Sequence, residues 1–214
     1  MNEQLVEQLR QIGLHLNVNR LPYAVPIHVN LVHLTLGLFI VAILFDIAGT
    51  LFFIAKPVLK VFSLPALRSS FYTVGWYNAI AAAAITFFTV AFGFFELMLA
   101  DPVTTERSAW GLGAGTTMVL HGIGGVLLLT CIVTMAVWRG FQRNRWKTRL
   151  AAGEATPLDR QVQWSYLAVG VVMFGLLYLH GTLGAQMGDE FGIHNTAAHL
   201  LRQGEDPNMI GDRY

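Results

Sequence analysis

Four apolar stretches, each long enough to cross a bilayer, constrain this chain more than any other feature. They run over about 27–55, 73–100, 112–138 and 162–188, and a spanning helix needs about 20 predominantly apolar residues. Short connections between them favour an up-down-up-down order. The expected fold is all-α: a four-helix transmembrane antiparallel bundle over 22–194, with a short segment at 1–21 and a polar tail at 195–214. Only 13% of the residues are charged, about half the share usual in a soluble domain. The formal net charge of +1 gives nucleic-acid binding no support.

In the first segment Leu5, Leu9, Ile12 and Leu16 fall on one face of a helix. This spacing predicts an amphipathic helix lying on the membrane surface, or a small soluble cap on the bundle. Acids at Glu3 and Glu7 and the lack of an unbroken apolar core argue against a cleavable signal peptide. Lys56, Lys60 and Arg68, with Arg139, Arg143, Arg145, Lys147, Arg149 and Arg160, place nine of the fourteen basic residues in the loops 56–72 and 139–161. Those loops are expected on the cytoplasmic side, with both termini outside, in a periplasm or lumen. Trp76, Trp110, Trp138 and Trp164 stand near span ends, where an aromatic belt belongs. The single cysteine, Cys131, has no partner for an internal disulfide.

Depth can be counted along each span. His28 and His33 open the first. His121 lies about eight residues into the third, and His180 about eight before the end of the fourth, each roughly 12 Å deep. Glu96 is near the end of the second span, and His194 and His199 follow the fourth. Six of the seven histidines thus gather toward one side, with His15 expected there too. Gly124 and Gly125 share the face of His121, and Gly184 that of His180. Such a face leaves room for a flat macrocycle with an imidazole as axial ligand, or lets two helices approach closely. His28 and His33 diverge by about 140° on a helix, so His28 is expected at the helix start and His33 can turn inward. His33, Glu96 and His121 form a candidate metal set, since imidazole with carboxylate suits zinc, iron or manganese. The simpler expectation for Glu96 is a side chain that snorkels to the surface. Asp46 is deep in the first span, where an ionisable group needs a partner or a water-filled path.

Nucleotide-binding loops, the His-Glu-x-x-His zinc helix and the haem-attachment Cys-x-x-Cys-His are absent from the sequence. The run His28-Val29-Asn30-Leu31-Val32-His33, with Asp46 later in the span, resembles the opening of the bacterial four-span family called the domain of unknown function 2231 family. That opening is a histidine, then Pro-x-x-Val-His-Phe-Pro, then an aspartate. Trp76-Tyr77 and Gly93 before Glu96 are similar to its second span, His121 and Trp138-Arg139 to its third. Gly181-Thr182-Leu183-Gly184-Ala185 through Phe191-Gly192-Ile193-His194 resembles its Gly-rich close. Val29, Leu34-Thr35 and Ala185 depart from the pattern, and His180 stands where the family pattern has no histidine. The resemblance covers about Ile27 to His194. It implies a bacterial four-span protein and points to His28, His33, Asp46, Glu96 and His121.

Three functions are compatible with these residues. The first is a b-type haem electron-transfer subunit, with haem b held by His121 and either His180 or His33 and with a quinone as a candidate electron partner. The second is an accessory subunit, packed in a larger respiratory or photosynthetic complex or in a homo-oligomer. The third is metal binding or transport through His33, Glu96 and His121. The expected location is a bacterial plasma membrane or an internal photosynthetic membrane.

Overall fold

The structure, a computed structural model, describes residues 27–52, 54, 57, 68–99, 105, 107–156, 161–191 and 193. The expected surface segment 1–21, the tail 195–214 and His15, His194 and His199 lie outside the described residues. Four helices form a bundle: α1 (Ile27–Thr50), α2 (Arg68–Leu99), α3 (Ala114–Ala151) and α4 (Trp164–Asp189). Each is long and apolar enough to cross a membrane. A helix satisfies its backbone polar groups within itself, as hydrocarbon demands.

Their outward faces are apolar as well. Leu44, Phe87, Phe88, Leu127 and Val172 are all exposed, as on a bundle whose solvent is lipid rather than water. The helix α3 outruns its apolar span. Its 38 residues make about 57 Å at 1.5 Å per residue, and the expected loop 139–161 is helical as far as Ala151. Gly153 (φ 73°) ends it. Glu154 N–H donates to Arg149 O (2.9 Å) and Gly153 N–H to Leu150 O (3.1 Å), the pair of bonds that closes a Schellman cap.

Contacts divide the described residues into two compact units: those of 27–30, 90–126 and 179–193, and those of 31–89 and 127–178. In the first, a small apolar cluster joins Ala114, Met187, Phe191 and Ile193. The start of α1 there meets the end of α2, the start of α3 and the end of α4, so successive helices run in opposite directions.

The second unit holds the larger core, with Phe39, Ile43, Tyr72, Ile132, Tyr166 and Met173 among its buried residues. Glycines bring its helices close. A Cβ at Gly170 would meet Ile43 at 2.8 Å, and one at Gly49 would meet Tyr72 at 2.8 Å. Thr35 and Thr89 hydroxyls hydrogen-bond across α1 and α2 at 2.9 Å. Asp46, which the sequence marks as needing a partner, has one in Arg139. The guanidinium donates from Nε to Oδ2 (2.8 Å) and from Nη2 to Oδ1 (2.9 Å), and Nη2 also reaches Tyr72 O (3.3 Å).

Candidate functional site

In the first unit each of the four helices contributes one ionisable side chain to the same neighbourhood. From α1 comes His28, in the first turn. The leading N–H groups of a helix have no partner within it, and His28 N–H donates to Glu96 Oε1 on α2 at 3.0 Å. Glu96 is fully buried, so it does not snorkel. Its carboxylate caps α1 and faces the positive end of that helix dipole.

From α3 and α4 come His121 and His180. Their rings lie face to face, centroids 4.1 Å apart and planes 7° from parallel. His28 meets His121 edge-on, centroids 5.9 Å apart at 88°. Every one of the three rings rests on a glycine of a neighbouring helix. A Cβ at Gly93 would come 2.8 Å from the His28 ring, at Gly124 2.6 Å from His180 Nδ1, and at Gly184 3.0 Å from His121 Cε1. The last two are reciprocal. His180 of α4 sits on α3, and His121 of α3 sits on α4. The spacing along each helix pairs Gly124 with His121 and Gly184 with His180; packing exchanges the partners.

These rings border a cavity of about 40 Å³, lined by His28, His121, His180, Phe94, Leu97 and Met187 among others. One water needs about 10–15 Å³ measured in this way, so there is space for two or three. The Nδ1 atom of His180 is buried and has no hydrogen-bond partner among the described residues.

The structure therefore brings together His28, Glu96, His121 and His180. His33 is exposed on α1 and belongs to the other unit, as does Asp46. Among the described residues, no group of three or more His, Cys, Asp or Glu side chains is arranged to hold a metal ion. An imidazole directs its lone pair within its own ring plane. Parallel, stacked rings aim theirs along offset lines, so His121 and His180 as packed do not converge on one iron. Axial ligation by both would require the rings to part and turn.

Sequence spacing left two participants unassigned. The ring of His28 is part of the cluster, not merely at the helix start, and the sequence signal was Gly93, three residues before Glu96. Arg139, grouped with the loop charges, is the counter-ion of Asp46.

The chain belongs to the DUF2231 family, described as predicted membrane protein, whose pattern matches residues 24–197. That range contains all four helices and the whole of the histidine site. Neither a curated protein nor a solved structure matches the chain.

Proposed function

We propose that this membrane protein exchanges protons at the site formed by His28, His121 and His180 beside Glu96, in the service of a redox or transport partner. The convergence of three imidazoles and one buried carboxylate, each from a different helix, carries the reading. Ionisable groups are costly inside a bilayer, and clusters of His, Asp and Glu there serve as proton relays. Imidazole is the side chain whose ordinary titration falls between about pH 5 and 8, and the cavity has space for the water through which protons would move.

Histidine ring signals of the labelled full chain, followed by NMR in nanodiscs across that pH range, test the reading. The expected result is a coupled set of titrations, in which replacing any one of the three histidines by Gln displaces the curves of the other two. Independent curves, or no exchange at all, would sink it.

A b-type haem is the second reading. It would take His121 and His180 as the ligands, and it requires both rings to leave the Gly184 and Gly124 surfaces they now fill. A reduced-minus-oxidised absorbance spectrum of the haem-replete protein separates the readings, because proton exchange alone gives no Soret band.

A further inference from the structure

We infer that Arg143, with Trp76 and Lys147, forms a seat for the phosphate of an anionic phospholipid at the basic end of α3. The inference is independent of the histidine site. Along α3 the first cation after the apolar stretch, Arg139, is consumed by Asp46 and is 1% exposed. One turn further on the same face stands Arg143.

Three observations set Arg143 apart from an ordinary surface charge. Its guanidinium lies over the indole of Trp76, 5.4 Å from the ring, a cation–π contact. The indole is itself fixed against Gly140, where a Cβ would meet it at 3.2 Å. And Arg143 Nε is buried with no hydrogen-bond partner among the described residues. A half-buried cation with an unmatched donor is expensive unless an anion completes it.

Depth says what that anion is. The apolar span ends at Trp138, and five residues of helix carry Arg143 about 7.5 Å beyond it. Each polar headgroup layer is about 5–8 Å thick outside the hydrocarbon, so the guanidinium stands at phosphate level. Lys147, exposed one turn further out on the same face, adds a second cation within reach of the same headgroup. Two positive charges favour a net-anionic lipid such as phosphatidylglycerol over a zwitterionic one. Trp76 and Gly140 supply apolar surface for the glycerol and upper acyl carbons, which a soluble phosphate would not use.

The test is native mass spectrometry of the full chain released from mixed phosphatidylglycerol and phosphatidylcholine bilayers. The wild type is expected to retain phosphatidylglycerol preferentially. Arg143→Gln should reduce that retention roughly tenfold, the worth of one charge-assisted hydrogen bond, and Lys147→Gln by a smaller factor. Arg145→Gln removes the same charge from an exposed position 200° round the helix, and should leave retention unchanged. Equal loss in the Arg143 and Arg145 variants would mean diffuse attraction only and would overturn the seat, as would wild-type retention in the Arg143 variant. Displacement of the lipid by inorganic phosphate would assign the site to a soluble anion and overturn the lipid reading. If Arg143→Gln fails to fold, Lys147→Gln decides alone, because its side chain is exposed; retention equal to wild type then refutes the seat.

Discussion

Replacing Arg139 by Gln should be among the most damaging single changes in the second unit. The guanidinium and the Asp46 carboxylate form a two-pronged pair at 2.8 and 2.9 Å, with side chains 1% and 0% exposed. With charge centres about 4 Å apart and an effective dielectric near 20, their attraction is about 4 kcal/mol. Removing one partner of such a buried pair typically costs about 3–5 kcal/mol, since the other charge is left uncompensated. The other guanidinium on the Tyr72 ring, that of Arg68, is held by Gly49 O at 2.9 Å. Gly75 is packed so closely that a Cβ there would lie 2.6 Å from Asp46 Oδ1, and Tyr72 already covers the guanidinium at 5.7 Å. Arg139→Gln is therefore expected to destabilise by about 3–5 kcal/mol, and Asp46→Asn by a similar amount. The double variant places two neutral amides where the charges were and should recover about 2–3 kcal/mol of the summed loss as coupling energy. Reversible unfolding in mixed SDS micelles, followed by helical circular dichroism, measures all four corners of the cycle. If the single losses simply add, within about 0.5 kcal/mol, the two groups are not paired in the folded protein and the reasoning fails.

The same assay examines the glycine seats. Gly124→Ala forces His180 off its seat and should cost about 1–3 kcal/mol as overpacking, whereas Gly125→Ala, whose Cβ would meet the ring at an ordinary 3.9 Å, should be neutral or stabilising by up to about 1 kcal/mol through helix propensity; equal effects would show that the rings do not rest where described. Glu96→Ala should lose about 0.5–2 kcal/mol by leaving His28 N–H without its acceptor, and Glu96→Gln, which keeps an acceptor oxygen, should lose less; a Gln variant as unstable as the Ala one would mean that charge, not the hydrogen bond, is what α1 requires.

The helices were legible because lipid imposes a simple rule: a span must be long, apolar and internally hydrogen-bonded. Charge marks where lipid ends, not where a helix ends, and that is why α3 continues thirteen residues past Trp138, to Ala151. Counting depth brought His121 and His180 to one level, and they do touch. Periodicity along one helix gives the face a residue occupies but not the residue it meets on the next helix. Gly124 therefore serves His180 rather than His121. The same limit hid the Asp46–Arg139 pair, whose members stand 93 residues apart: the need for a partner was visible at Asp46, the partner's identity was not. His33 had the credentials of an inward residue on spacing alone, yet it is exposed.

Both units use glycine to let a bulky side chain lie against a neighbouring backbone, and the fillers differ between them in a way that bears on function. In the second unit the glycines at 49, 75, 140 and 170 receive Tyr72, Asp46, Trp76 and Ile43, a mixture of aromatic, charged and aliphatic groups suited to filling space of different shapes. In the first unit the three tight seats, Gly93, Gly124 and Gly184, receive only histidine. Volume alone does not require that choice. A Leu or Phe would fill comparable space with no polar atom to desolvate, whereas each half-buried imidazole has to be given a polar partner or water. A bundle selected only for close packing has no reason to place three half-buried polar rings in one neighbourhood, beside a fully buried carboxylate. Imidazoles that can be protonated or deprotonated, stacked and edge-on around a cavity with space for water, do give a reason. The recurrence of histidine at all three seats is therefore what favours chemistry over plain helix association at this end of the sequence's four spans.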